Sequence, residues 1–229
     1  MAGPTGRDRI DDLPKRLPIF PLGGVLLLPR GELPLNIFEP RYLRMVTDAI
    51  RSERMIGMVQ PDTVEGRRLE RDPRAAPTVY PIGCAGRITA FSETEDGRML
   101  IVLTGVCRFR IAEELPQGER PYRVAIPDYS PFGADLEVDD GDIGIDRQAL
   151  LRAFDEFLAF HDLQADWSDV AQASDEALIN ALAMISPYSP EEKQALLEAA
   201  DLKARAQVLT ALTDIGLAEK RGGLPPVLQ

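Results

Sequence analysis

"LPIFPLGGVLLLPRGELPLNIFEPRYLRMV", residues 17–46, decides the fold. Five prolines punctuate an apolar run that then changes to helical spacing. Leu17 to Leu28 and Leu33 to Phe38 read as short strands broken by Pro21, Gly23, Gly24, Pro29, Gly31 and Pro34. Proline removes a ladder donor, so these strands belong at sheet edges, strand ends or bulges, and an irregular barrel suits them better than a flat sheet. Pro40 fits the first turn of a helix, and Glu39 places negative charge at its N-terminus. Tyr42, Leu43, Val46, Ala49 and Ile50 then share one helical face, with Arg41, Arg44, Asp48 and Arg51 on the other. No nucleophile motif, phosphate loop or metal-ligand spacing occurs in the stretch. It reads as architecture built to hold something.

Downstream, "MIGMVQP" at 55–61 reads as a strand ended by proline. Residues 62–77 read as an exposed loop, in which Arg67, Arg68, Arg71 and Arg74 are offset by Glu65, Glu70 and Asp72. The strongest strand signal lies at 80–115, where Asp96-Gly97 predicts a two-residue hairpin turn pairing Glu95 with Arg98. That register sets Ile88 opposite Gly105, Ala90 opposite Leu103 and Cys84 opposite Phe109, with both thiols on one buried face, unless Gly105 is a bulge. Arg108 and Arg110 are expected to alternate outward, and Tyr122 to Ile126 to supply the last strand. Residues 128–146 lose periodicity. Asp139, Asp140 and Asp142 cluster there without the spacing of a calcium loop, and a linker is the better reading.

Beyond Asp146 the pattern is helical. Leu150, Leu151, Phe154, Phe157, Leu158 and Leu163 follow helical spacing, and Ser174 is an expected N-cap. Ser189-Pro190-Glu191-Glu192 opens a further helix with cap, N1 proline and first-turn acids, and a last helix is expected to end near Gly216.

With 229 residues, 45% hydrophobic and 28% charged, the chain can bury a substantial core. The net charge of −11 is uneven: residues 1–128 carry 19 basic and 18 acidic groups, residues 129–229 carry 7 and 19. The acidic half repels polyanions, which disfavours nucleic acid as a partner. The first 16 residues carry charge without the following h-region of a secretory signal, and Val25 to Leu28 is far too short to span a bilayer. A cytoplasmic location with no membrane contact is expected. Two cysteines and one histidine exclude the usual zinc spacings, and buried thiols in a reducing compartment are the simplest reading. His161 sits beside Asp162, with Ser168 and Ser174 downstream, but adjacent helical residues do not face each other and neither serine lies in a nucleophile elbow. Trp167 reads as a plug at a helix junction. No catalytic residue, metal site or cofactor is expected.

The order of parts carries a resemblance. Leu17-Pro18-Ile19-Phe20-Pro21-Leu22, the Pro34-Leu35 to Tyr42 segment ending in Glu39-Pro40-Arg41-Tyr42, and Gly83 to Ile88, followed by helices, resemble the N-terminal substrate-binding domain of Lon protease over roughly Leu13 to Gly216. The resemblance extends to small bacterial members that stand alone, without ATPase and protease modules. It implies an α+β fold, a PUA-like pseudo-β-barrel followed by a small helical bundle. The expected organisation is a tail at 1–13, a β-rich subdomain at 14–128, an acidic linker at 129–146, a helical bundle at 147–218 and a tail at 219–229. The implied function is noncatalytic recognition of unfolded or tagged polypeptide segments, as an adaptor or regulator in protein quality control working with a separate protease or chaperone. The alternative is an RNA-binding PUA-like module, which needs a basic face. Expected peptide contacts are Leu33, Leu35, Phe38, Arg41 and Tyr42, with Met55 and Met58 as adaptable neighbours.

Overall fold

The computed structural model describes residues 9–62, 78–116, 118–137, 144–160 and 173–220. The chain divides into two compact units, Met1–Val138 and Asp139–Gln229. His161, Asp162, Trp167, Ser168, the four loop arginines and the aspartates at 139, 140 and 142 lie outside the described residues.

The first unit is built on six strands among the described residues: β1 (Leu17–Pro21), β2 (Glu32–Ile37), β3 (Met55–Val59), β4 (Ile82–Glu93), β5 (Met99–Leu115) and β6 (Arg123–Asp128). Their order is β2-β5-β4-β3-β1-β6, and β6 also pairs with β5. The pairings therefore run in a circuit from β5 through β4, β3, β1 and β6 back to β5, and β2 hangs outside it. Among the described strands only β1 and β3 pair in parallel. Leu17, Ile19, Val59, Ala85, Phe109 and Ala125 pack together in the interior. Large side chains buried in this way contribute ~1.5–3 kcal/mol each.

Helix α1 (Pro40–Ile50) follows β2, with Glu39 at its N-cap position and proline in the first turn. Tyr42, Met45, Val46 and Ala49 form its buried face. The Tyr42 ring lies 4.2 Å from that of Phe20, centroid to centroid.

The β4–β5 hairpin differs from its expected register. Thr94 N–H donates to the Arg98 carbonyl, so Glu95, Asp96 and Gly97 form a three-residue loop with Gly97 at φ 79°. A left-handed glycine closing such a loop shifts the pairing by one residue. A register shift near Thr89 then sets Ile88 against Leu103, and a second beside Val106 sets Cys84 against Arg108 and Ala85 against Cys107. Paired residues share a face and neighbours alternate, so the two thiols lie on opposite faces of the sheet.

Arg108 does not point outward. It is 4% exposed, because the 3-10 segment Ser130–Leu136 covers its side of β5. That segment was expected to be linker, yet Phe132 and Asp135 within it are buried. Arg110 is exposed as expected.

The second unit contains α2 (Arg147–Phe160), α3 (Asp175–Ile185), α4 (Pro190–Glu198) and α5 (Leu202–Lys220). Ser174 Oγ accepts from the Ala177 N–H at 3.2 Å. Ser189 and Glu192 cap each other reciprocally at the start of α4. Gly216 does not end α5. It lies within the helix, where a Cβ would stand 2.7 Å from the Phe157 ring, so its smallness serves close packing of α5 on α2.

Candidate functional site

Among the described residues the free edge of the first unit is β2. Gly105 N–H donates to the Gly31 carbonyl at 2.8 Å, and Arg30 N–H donates to the Gly105 carbonyl at 2.8 Å, so the Gly31 carbonyl turns to β5 just before β2. Bonded and non-bonded pairs alternate in an antiparallel ladder. Leu33, Leu35 and Ile37, opposite Leu103, Ile101 and Met99, therefore turn their backbone groups to β5. Glu32, Pro34 and Asn36 turn theirs away, where no strand among the described residues pairs with them. Pro34 sits where its missing N–H costs the ladder nothing.

The cross-strand rows Asn36–Leu100–Ser92 and Pro34–Val102–Ala90 place six residues on the solvent face of this wing. With Leu35, Ile101 and Phe91 they line a shallow, mainly apolar groove of about 410 Å³. Leu100 and Phe91 are 45% and 44% exposed, and Phe38, immediately after β2, is 62% exposed. Phe91, paired with Ile101, lies on the opposite face from Leu100, so the apolar surface of the groove face is formed by Leu100 and Val102 with Pro34 and Ala90.

The expected contact residues separate into three groups. Phe38 and Arg41 are exposed; Leu33 and Leu35 are half-buried on the face of Ile101 and Leu103. Tyr42, Met55 and Met58 are interior, at 7%, 3% and 4% exposure, so the methionines are core side chains and not adaptable surface neighbours. β3 is buried along its whole length, which accounts for this. Arg41 bonds Glu39 at 2.9 Å and lies 4.5 Å above the Tyr42 ring, pinning the first turn of α1. Burial, more than these neighbours, holds the Tyr42 hydroxyl above its ordinary pKa.

Sequence reading missed Leu100, Val102 and Phe91. The signal was present: "MLIVL" at 99–103 is continuously apolar, as a strand covered on both faces is. Here one of those faces is open.

Among the described residues no cluster of three metal-ligating side chains occurs. Cys107 is fully buried, and desolvation first, then the Asp135 carboxylate, pushes its thiol up to about 12, so no thiolate nucleophile forms near neutral pH. No described helix is long and apolar enough to cross a membrane.

Comparison with known proteins agrees with this architecture. A family profile described as the ATP-dependent protease La (LON) substrate-binding domain matches residues 16–214. Lon protease 2 of Myxococcus xanthus is 30% identical over 214 residues, covering 91% of this chain and 24% of the relative. Lon protease of Anaeromyxobacter dehalogenans is 28% identical over 215 residues, again 24% of its length. The chain thus spans about a quarter of the length of these curated bacterial relatives. Among solved structures, a Lon N-terminal domain protein from Xanthomonas campestris superposes with a TM-score of 0.56 at 23% identity, over 86% of this chain and 97% of that one. The N-terminal domain of Mycobacterium avium complex Lon protease gives 0.55 at 18%, over 87% and 98%.

Proposed function

The chain belongs to the Lon substrate-binding domain family, and from that premise we propose that it holds extended segments of unfolded polypeptide along the β2 wing. The observation that carries the reading is the coincidence of an unpaired strand edge with an apolar groove on the same wing. An extended chain satisfies both at once, its backbone on the edge and its side chains on the groove. Phe38, Leu100, Val102 and Arg41 make the contacts in this reading; Leu33 and Leu35 support the surface from beneath, and Tyr42 anchors α1 on β1 through Phe20. The work done is recognition without bond cleavage, as an adaptor or regulator that presents substrates in protein quality control.

The test is fluorescence anisotropy of a labelled polypeptide kept unfolded by alkylation of its cysteines, titrated with the full chain at low and high salt. Saturable binding that survives salt is expected. A phosphate-type interaction weakens steeply with salt, so persistence also separates this reading from RNA binding. Phe38→Ala should weaken binding roughly 5- to 30-fold, the equivalent of one aromatic contact of ~1–2 kcal/mol, without changing thermal stability. Absence of binding at high micromolar protein would end the reading.

A further inference from the structure

The open edge of β2 has a defined parity, and we infer that a guest segment adds to it antiparallel, the residues that donate their backbone N–H groups being those whose side chains cover the groove. This mode rests on the polypeptide-binding reading above and specifies how the segment is held.

Antiparallel pairing is the more stable per residue, which sets the orientation, and two observations set what the edge presents to the guest. Glu32, Pro34 and Asn36 face the open edge, as the Gly31–Gly105 bond dictates, and the same residues share the sheet face of Leu100 and Val102. Because proline has no N–H, the edge offers carbonyls at 32, 34 and 36 but amides only at 32 and 36. It is an acceptor-rich edge, and a guest meets it chiefly by donating.

In an antiparallel ladder, bonded residues stand directly opposite each other and on the same face. Guest residues opposite Glu32, Pro34 and Asn36 therefore donate to those carbonyls and turn their side chains onto the groove. In a parallel ladder, the bonded guest residues stand opposite Leu33 and Leu35, and their side chains fall on the far face. The recognised class follows: an extended segment of about six residues, matching β2, with apolar side chains at every second position and a free N–H on those same residues. Proline at a groove-facing position is excluded.

The experiment uses a labelled eight-residue peptide alternating valine and serine between terminal lysines, and two versions N-methylated either at the valines or at the serines. Valine methylation should weaken binding about 10-fold or more, since each lost donor removes a hydrogen bond; serine methylation should leave it within about two-fold. The reverse order overturns the antiparallel orientation. An equal response overturns strand addition, while parent binding still lost in Phe38→Ala leaves the function standing. If the parent peptide fails to bind while the unfolded polypeptide binds, the strand mode alone falls; if neither binds, the function falls with it. On the protein side, Asn36→Pro removes an outward amide without touching the β2–β5 ladder and should weaken the peptide several-fold, whereas Asn36→Ala should stay within about two-fold. Should Asn36→Pro lose its circular dichroism signature, the methylated pair decides.

Discussion

Arg108 is buried against Asp135. Its Nε and Nη2 donate to the two Asp135 carboxylate oxygens at 2.9 and 2.8 Å, and its backbone N–H donates to Asp135 Oδ2 at 2.9 Å. The guanidinium also lies 4.8 Å from the Phe132 ring centroid. Arg30 Nη1 donates to the Asp135 carbonyl at 2.6 Å, so one aspartate fastens the segment after β1, the middle of β5 and the 3-10 segment. Removing one member of such a pair strands a charge in the interior at a cost of ~3–5 kcal/mol. Asp135→Ala should therefore lower the urea midpoint severely, and Arg108→Met combined with Asp135→Leu should recover much of the loss; an Asp135→Ala loss within 1 kcal/mol, an order-of-magnitude boundary, would show that water reaches the pair. None of this was legible from the chain. Strand alternation put Arg108 outside, and its partner lies 27 residues away in a stretch whose acidity and glycines resemble a linker.

At the scale of elements, α1 and the β4–β5 hairpin were readable because their signals are local. Proline in the first turn with one apolar face makes a helix, and Asp-Gly between β-branched runs makes a hairpin. Register was not readable. A turn of two residues and one of three share the same dipeptide, and the choice moves every side chain to the opposite face. Two further shifts along β4 and β5 compound the difference. The proline-marked edge was legible in β2, since Pro34 inside a strand excludes a central position. Its open partner face was not, because Leu100 and Val102 look like core. Pro34→Ala restores the third outward amide. Peptide binding should tighten about 2- to 10-fold, the equivalent of one net hydrogen bond, and self-association by edge pairing should rise. Anisotropy and sedimentation velocity check both; unchanged affinity would place the ligand elsewhere on the wing.

The whole molecule keeps several acids neutral in its interior, and that fixes how it responds to base. Burial pushes the Cys107 thiol up to about 12 from an ordinary 9.0, and the Tyr122 hydroxyl, desolvated and bonded to Asp48 at 2.8 Å, up to about 12 from 10.0. Tyr129 is shifted upward as well, again chiefly by burial. Tyr188 in the helical unit rises to about 12 by desolvation, which outweighs the lowering bond to Thr213. A group whose pKa is raised on folding contributes stability that is full below its unfolded value and lost as pH rises toward its folded one. Resistance to urea should thus decline from about pH 9, where the unfolded thiol begins to ionise, and fall further from pH 10 to 12 as the tyrosines follow. Cys107→Ala should remove the earliest part of the decline; a flat profile to pH 11 would show these groups to be solvated. Pro34 has one more consequence, and it concerns time. A strand laid along β2 finds no donor opposite the middle of its run, and each bond withheld, at ~1 kcal/mol, shortens residence about five-fold. In the proposed mode of binding the gap would act as a release clock: a chain caught by the sheet would not become part of it, and would be free to be passed on.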